Sequence, residues 1–316
     1  MEAHHGLPRP APEALIDLLW IPFTVWAALA QTVRNAAQRH LTSELGTLGA
    51  TLGRFLYGLP FAGLWLLGVQ LATAHTVAAP GVPFFAWVLV GGVAQIAATA
   101  FLLRTMQERN FALGVAYSKT EVIQVALFGL VFLGDAIGGQ TALAVASGTV
   151  GVLLLSPPDR ERPLRAFVAG WTTRSALFGL ASGTAFAISA VAYRGAALSA
   201  ATPSFLLAAA YTLFTAQLVQ TVLLGGWLLV RSRAVVARVF RAWRMSLFAG
   251  FMGAAASAGW FTAFALEPVA HVRTLGLIEL VFSYAVSRRI FKERLSRTDV
   301  LGIALLAVGV VVITLR

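Results

Sequence analysis

The sequence predicts an all-α integral membrane protein with ten transmembrane helices in two inverted five-helix repeats. Of the 316 residues, 58% are hydrophobic and 12% are charged, whereas soluble domains have roughly 45–50% apolar and 25% charged residues. When the chain is compared with itself at an offset of half its length, Glu121 matches Glu279 and the Val-Gly-Val sequence at 150–152 matches that at 308–310. The first observation predicts a membrane protein, and the second predicts a duplication.

Apolar segments separated by charged residues, Gly and Pro predict the individual spans. Residues 55–103 contain no Asp, Glu, Lys or Arg, which is enough for two spans of about 20 residues with a turn between them. Continuous rather than alternating hydrophobicity favours helices over a closed barrel. The predicted spans are 18–38, 44–69, 84–105, 111–133, 138–156, 175–198, 204–229, 246–266, 270–291 and 299–315.

The domain organisation follows from these spans. We expect a first five-helix repeat at 1–156, a polar linker at 157–174 and a second five-helix repeat at 175–316. An odd number of spans per repeat turns the second half upside down relative to the first, as in many secondary transporters. Two oppositely oriented halves can expose a central site first to one side of the membrane and then to the other.

The net charge of +11 comes from basic residues in the loops after the odd-numbered spans, from Arg39 after the first to Arg297 after the ninth. The positive-inside rule then places these loops in the cytoplasm and both termini outside the cell. Because the charge lies between apolar segments, we expect no nucleic-acid partner. Arg outnumbers Lys 22 to 2, which suggests a bacterial protein and therefore the inner (plasma) membrane.

The composition also predicts that no cofactor, metal or catalytic residue is present and that the protein is not an enzyme. The chain has no cysteine, and its five histidines lack the spacing of metal ligands. The sequence contains no Gly-x-x-x-x-Gly-Lys-Ser/Thr loop for ATP. No Ser-His-Asp set is apparent, and the polar residues lie at mid-depth rather than at one interface.

Several short sequences resemble the EamA-type transporters of the drug/metabolite transporter superfamily. These are LIELVFS at 277–283, FKERLS at 291–296 and the later VGV sequence, which together resemble the closing helix pair of that family. FLGD at 132–135 resembles the same turn in the first half, although Asp135 replaces the usual Glu, as Lys292 replaces the usual Gly. The resemblance implies a ten-helix secondary transporter of small metabolites, with a central cavity walled mainly by the first, third, fourth, sixth, eighth and ninth helices.

Two intramembrane carboxylates are the main candidate site residues. On a helix, Glu121 shares one face of the fourth span with Tyr117, and Glu279 shares one face of the ninth with Ser283. A buried carboxylate can bind a substrate ammonium group or carry a proton, because burial raises its pKa towards physiological pH. The alternative for both is a structural hydrogen bond or ion pair between helices.

Three cations in the spans are further candidates. Arg54 lies in the second span and Lys119 in the fourth, on the face opposite Glu121, and each requires a partner. Either could neutralise a Glu or bind an anionic substrate group, and Arg54 could instead clamp helices together. Arg273, near the start of the ninth span, could extend to the outer interface or bind an anion.

Five uncharged residues complete the predicted cavity lining. They are Gln31, Gln95, Thr99, Tyr193 and Trp260. Each of them could equally form an ordinary hydrogen bond between membrane helices. Asp135 and Glu293, at helix ends, are expected to cap helices.

The function favoured by these residues is secondary transport of a small polar or zwitterionic, amino-acid-like metabolite by alternating access, with or without coupling to protons. The candidate cations favour a cargo that also carries an anionic group. A multidrug or organic-cation exporter is the alternative within transport, and a non-transporting membrane assembly protein is the alternative outside it. We expect the lipid bilayer as surroundings and either a monomer or a homodimer.

Overall fold

The computed structural model describes residues 18–108, 115, 118–119, 121–143, 146–147, 150, 174–290, 305, 308 and 312. Within these residues the chain is almost entirely helical and contains no strand. Its helices are α1 (Trp20–Thr73), α2 (Val82–Glu108), α3 (Glu121–Leu133), α4 (Arg174–Leu198), α5 (Phe205–Arg231), α6 (Arg233–Arg241), α7 (Trp243–Leu266), α8 (Val269–Leu275) and α9 (Ile278–Ile290). Residues 139–143, 146–147, 305, 308 and 312 are also helical. The predicted linker lies outside the described residues apart from Arg174.

Helix α1 is a hairpin of two arms, 20–45 and 47–73, divided at Gly46. Gly46 has φ 71° and ψ 173°, a backbone conformation that is essentially restricted to glycine and costs other residues about 1–3 kcal/mol. The chain reverses direction at Gly46. The evidence for the reversal is that Phe23 of the first arm and Phe61 of the second line the same apolar cavity. The first two predicted spans are therefore present, but the predicted loop around Arg39 is wrong, since the first helix continues to Gly46.

Six helical segments of the described chain are long and apolar enough to cross a membrane: α1, α2, residues 177–198, α5, α7 and residues 269–286. Because α1 is a hairpin, it accounts for two of the predicted spans. Residues 124–133 form a shorter apolar helix. These helices make the protein a multi-pass membrane protein, whereas the count of ten spans stays a prediction.

Helix α6 was not predicted, because the sequence around it suggests a polar loop. It turns Val236 and Val239 inward and exposes Arg233 and Arg241. Val239 packs against the second arm of α1 close to Gly53. An amphipathic helix of this kind typically lies along a membrane surface.

Small residues let α7 pack closely against both arms of α1. A Cβ placed on Gly259 would lie 2.8 Å from the backbone oxygen of Phe23, and one placed on Gly250 would lie 2.6 Å from the backbone carbon of Tyr57. A side chain of any size would push the helices apart at both places. Close backbone contact through Gly and Ala is how helices associate in lipid, and it brings α7 against the polar face of the first arm.

The fourth and ninth predicted spans are not continuous helices. The turn at Gly276 and Leu277 separates α8 from α9, and Lys119 occupies a turn immediately before α3. Each break directly precedes a carboxylate, because Glu121 and Glu279 lie in the first turns of α3 and α9. A negative charge in the first turn is favoured by the helix dipole, so each broken helix holds its Glu at the inner end of a helical segment.

Candidate functional site

Glu279 is the most highly coordinated side chain at the centre of the protein. It is 1% exposed and accepts three hydrogen bonds: from Gln31 Nε2 at 2.7 Å, Asn35 Nδ2 at 3.1 Å and Lys119 Nζ at 2.5 Å. Gln31 in turn accepts a hydrogen bond from Trp260 Nε1 at 2.9 Å. The first arm of α1, α7, α9 and the turn before α3 therefore converge on one carboxylate.

Glu121 lies beside this group but is held more loosely. Its Oε1 is 3.4 Å from Arg273 Nη1 and 3.6 Å from Lys119 Nζ, and its Oε2 is buried without a hydrogen-bond partner. The Arg273 guanidinium also lies over the Trp260 ring, 4.6 Å from its centroid, in a cation–π contact. Lys119 therefore contacts both carboxylates, and both are closed off from solvent in this conformation.

Two further arginines lie next to these groups. Arg34 and Arg54 are 1% and 2% exposed, and both stems lie against Gly253 of α7. Arg34 donates to Asn35 Oδ1 at 2.7 Å, and Arg54 donates to Thr99 Oγ1 at 2.9 Å. We refer to the set Arg34, Arg54, Lys119, Glu121, Arg273 and Glu279 as the central charged cluster. It holds four cations and two carboxylates.

A neutral polar group adjoins the cluster between α2, α4 and α5. Gln95 Oε1 accepts hydrogen bonds from Tyr193 OH at 3.2 Å and from Gln220 Nε2 at 2.6 Å. Gln220 Nε2 also lies 2.9 Å from Tyr193 OH. All three side chains are buried and hydrogen-bond to one another, with Gln220 Oε1 left without a partner, so this group joins three helices.

The structure brings eight of the twelve predicted site residues into contact with one another around the two carboxylates and Arg54. These are Gln31, Arg54, Thr99, Lys119, Glu121, Trp260, Arg273 and Glu279. Gln95 and Tyr193 lie in the neutral group. Ser283 is buried with no hydrogen-bond partner for its hydroxyl, and Tyr117 lies outside the described residues.

Two predicted placements were wrong. Lys119 does not point away from Glu121, because the helix breaks at Lys119 and lets its side chain reach both carboxylates. Arg273 does not extend to the outer interface, since it is 5% exposed and packs on Trp260. The first error comes from treating the fourth span as an unbroken helix, and the second from the contacts of Arg273 with Trp260 and Glu121, which the sequence does not show.

Sequence reasoning also missed Arg34, Asn35 and Gln220. A signal for the first two was present, because Gln31, Arg34, Asn35 and Gln38 follow the i, i+3, i+4, i+7 spacing of one helix face within an apolar span. Gln220 offered no comparable signal, since it is a single polar residue in a long apolar run.

A second polar network lies at the ends of several helices. Arg194 is 3.4 Å from Asp135 and donates to the backbone oxygens of Phe264 and Glu267 at 2.6 and 2.7 Å. His271 Nδ1 lies 2.5 Å from Glu267 Oε1, and its Nε2 lies 2.7 Å from the hydroxyl of Thr141. Asp135 therefore forms an ion pair with Arg194, and no capping hydrogen bond from its side chain was found. Glu293 lies outside the described residues.

Comparison with known proteins supports a membrane transporter. Residues 239–316 match the family model of the magnesium transporter NIPA. A solved structure titled "Crystal structure of protein" shares the fold with a TM-score of 0.59 at 17% identity, and the match covers 96% of each chain. A comparison with curated proteins finds no match. The family match and the apolar helices indicate a transporter rather than an enzyme, and the described residues contain no group of three potential metal ligands among His, Asp and Glu.

Proposed function

We propose that the protein is a secondary transporter of the EamA type that moves a small zwitterionic, amino-acid-like metabolite by alternating access. The observation that carries the proposal is the meeting of Glu121 and Glu279, at the inner ends of two broken helices, in one buried charged cluster. Broken helices whose ends converge between two halves of a transporter form its substrate site in several folds.

Contacts between corresponding parts of the two halves support the inverted repeat. Ser147 Oγ donates to Leu305 O at 3.1 Å, and these positions are 158 residues apart, which is the repeat offset. Gln140 Nε2 donates to Val312 O at 2.7 Å. The contact moves from 147 to 140 on one segment as it moves from 305 to 312 on the other, so the segments run antiparallel. Equivalent segments of an inverted repeat are expected to meet in this way.

Helix boundaries keep the same offset. Adding 158 residues to the second arm of α1, 47–73, gives the bounds of α5, Phe205–Arg231. The same shift carries the end of α2 at Glu108 onto the end of α7 at Leu266. This agreement supports a duplication with repeats at 1–156 and 175–316.

The two carboxylates suit different tasks. Glu279 is saturated by three donors and holds the cluster together. Glu121 has an oxygen without a hydrogen-bond partner and only long contacts to cations, so it is free to accept a new hydrogen-bond donor. We therefore assign substrate or proton loading to Glu121 and a structural role to Glu279.

A divalent cation fits this cluster less well as cargo than a zwitterion does, although the matching family model is named for magnesium transport. Mg²⁺ requires oxygen ligands in near-octahedral geometry, whereas both carboxylates here already face Lys119 or Arg273. An organic cation without a negative group would be repelled by the cluster, because the cluster holds four cations and only two carboxylates. The cluster composition therefore favours a cargo that also carries a negative group.

Flux measurements on two variants test the proposal. In proteoliposomes containing labelled amino acids, we expect Glu121→Gln to lower exchange at least tenfold and to abolish its dependence on pH. Glu279→Gln should lower exchange at every pH, because it disturbs the cluster. Glu108→Gln, which removes only the partly exposed ion pair with Arg104, serves as the matched control. Transport with unaltered rate and unaltered pH dependence in both cluster variants would show that the carboxylates do not form the working site.

A further inference from the structure

The pair Arg34 and Arg54 is the part of the central charged cluster that the internal ion pairs do not use. The two side chains come from opposite arms of α1 and meet on one side of α7. A Cβ placed on Gly253 would lie 3.0 Å from Arg54 Cγ and 3.4 Å from Arg34 Cδ. Glycine at this position therefore makes room for two arginine side chains side by side.

The hydrogen bonds of both arginines are to neutral groups. Asn35 and Thr99 are their side-chain acceptors, and no carboxylate of the described residues lies within ion-pair distance of either guanidinium. Arg34 Nε is buried without a hydrogen-bond partner. The two guanidinium groups repel each other. Glu279 attracts Arg34 from beyond ion-pair distance, and this attraction is larger than the repulsion of Arg34 by Arg273.

The two carboxylates of the cluster pair with its other two cations, not with Arg34 and Arg54. Lys119 contacts Glu279 most closely and Arg273 contacts Glu121, which leaves Arg34 and Arg54 as two excess positive charges. An uncompensated charge in a membrane interior is costly and usually serves a function. A purely structural clamp would pair each arginine with an acid, because removing the partner of a buried charge is strongly destabilising.

We propose that Arg34 and Arg54 bind the carboxylate of the transported metabolite. The guanidinium group presents parallel N–H donors that match a planar carboxylate in two-point contact. The nearby Glu121 offers the unpartnered oxygen that an ammonium group requires. The inference rests on the proposed transport function and adds to it that the cargo must carry an anionic group, with the ammonium group as a second requirement.

The test separates the two charged groups of the cargo. The purified full-length protein is heated with each standard protein amino acid, with the corresponding amide, which lacks the carboxylate, and with the N-acetyl derivative, which lacks the ammonium group. We expect at least one amino acid to raise the unfolding temperature, its N-acetyl derivative to retain part of the shift, and its amide to lose it. A shift from the amides as large as from the amino acids, or no carboxylate-dependent shift at all, overturns the inference.

Three variants distinguish binding from a structural role. Arg54→Gln should weaken binding of the stabilising amino acid at least tenfold while leaving the ligand-free unfolding temperature unchanged or higher, because it removes like-charge repulsion. Arg54→Lys keeps the charge but loses the two-point geometry, so binding should remain weak. Gly253→Ala should also weaken binding by crowding Arg54, whereas Gly226→Ala, where a Cβ meets nothing within 4 Å, serves as the control and should not.

The outcomes for the site and for transport are separable. If Arg54→Gln lowers the ligand-free unfolding temperature and leaves ligand affinity unchanged, Arg54 is a clamp and the anion site is disproved, while flux through wild-type protein can still stand. If the wild-type protein binds carboxylates through Arg54 but the Glu121 and Glu279 variants transport normally, the anion site stands and the transport mechanism proposed above fails.

Discussion

The unequal surroundings of the two carboxylates predict unequal effects on stability when each is replaced by Gln. Glu279→Gln loses the charge that receives Lys119 at 2.5 Å and leaves that ammonium group buried. Breaking one partner of a buried ion pair costs about 3–5 kcal/mol. Glu121→Gln removes contacts of 3.4 and 3.6 Å without any hydrogen bond to its free oxygen. The loss there should be smaller, about 1–3 kcal/mol, because the pair is buried but its contacts are long and the free oxygen of Glu121 accepts no hydrogen bond.

Thermal unfolding of the purified protein in detergent, followed by tryptophan fluorescence, measures this difference. One kcal/mol shifts the unfolding temperature by about 2–4 °C in chains of 150–250 residues and by less in longer ones, so Glu279→Gln should unfold a few degrees below Glu121→Gln. Glu108→Gln, at a partly exposed ion pair, should stay close to wild type. Equal shifts for the two cluster variants, or a larger loss for Glu121→Gln, would refute the assignment of Glu279 as the structural centre.

Two further predictions concern the hairpin and the second polar network. Gly46→Ala should destabilise the protein by about 1–3 kcal/mol, because the backbone conformation at Gly46 is essentially restricted to glycine. Gly68→Ala, in an open helical position, should be neutral or stabilising. Equal unfolding temperatures for the two variants would contradict this. Arg194→Gln removes the partner of Asp135 and of two backbone oxygens. The chain has no cysteine, so a single cysteine can be introduced at buried Ala270 and its reaction with a maleimide measured. This cysteine should react several-fold faster in the Arg194→Gln variant than in the protein that retains Arg194. Unchanged labelling would mean that Arg194 does not hold this end of the protein closed.

The sequence predicts the helices better than it predicts their interruptions. Apolar runs place α2, α4, α5 and α7 within a few residues, because continuous hydrophobicity of that length has few alternatives to a membrane helix. The turn at Gly276 does not interrupt hydrophobicity, and the polar residues around Lys119 at 118–121 also fit a polar stripe on one helix, so periodicity predicts continuous helix at both places. Tertiary packing is not visible in the sequence: a Cβ on Gly276 would lie 2.6 Å from the Trp260 ring.

In the candidate site, too, the sequence predicts one part and not another: it predicts which residues belong to the site but not how they pair. The intramembrane charges stand out in the sequence because each is costly in lipid, and the repeat offset links Glu121 with Glu279. Which cation meets which carboxylate depends on the two breaks, and neither charge counting nor helical faces can supply that. Arg34 was overlooked because it lies close to the predicted end of the first span, where an arginine ordinarily extends to the membrane surface.

Under the proposed function, the arrangement of ion pairs would link cargo binding to movement of the two halves. Lys119 and Glu121 belong to the first half of the chain, while Arg273 and Glu279 belong to the second, so both close ion pairs cross between the halves. A cargo ammonium group at Glu121 would compete with Arg273, and a cargo carboxylate would compete for the cationic side of the cluster. A ligand changes a conformational equilibrium only through differential interaction with the two states. Under the proposed function, the cargo would provide that difference by replacing the contacts that join the halves.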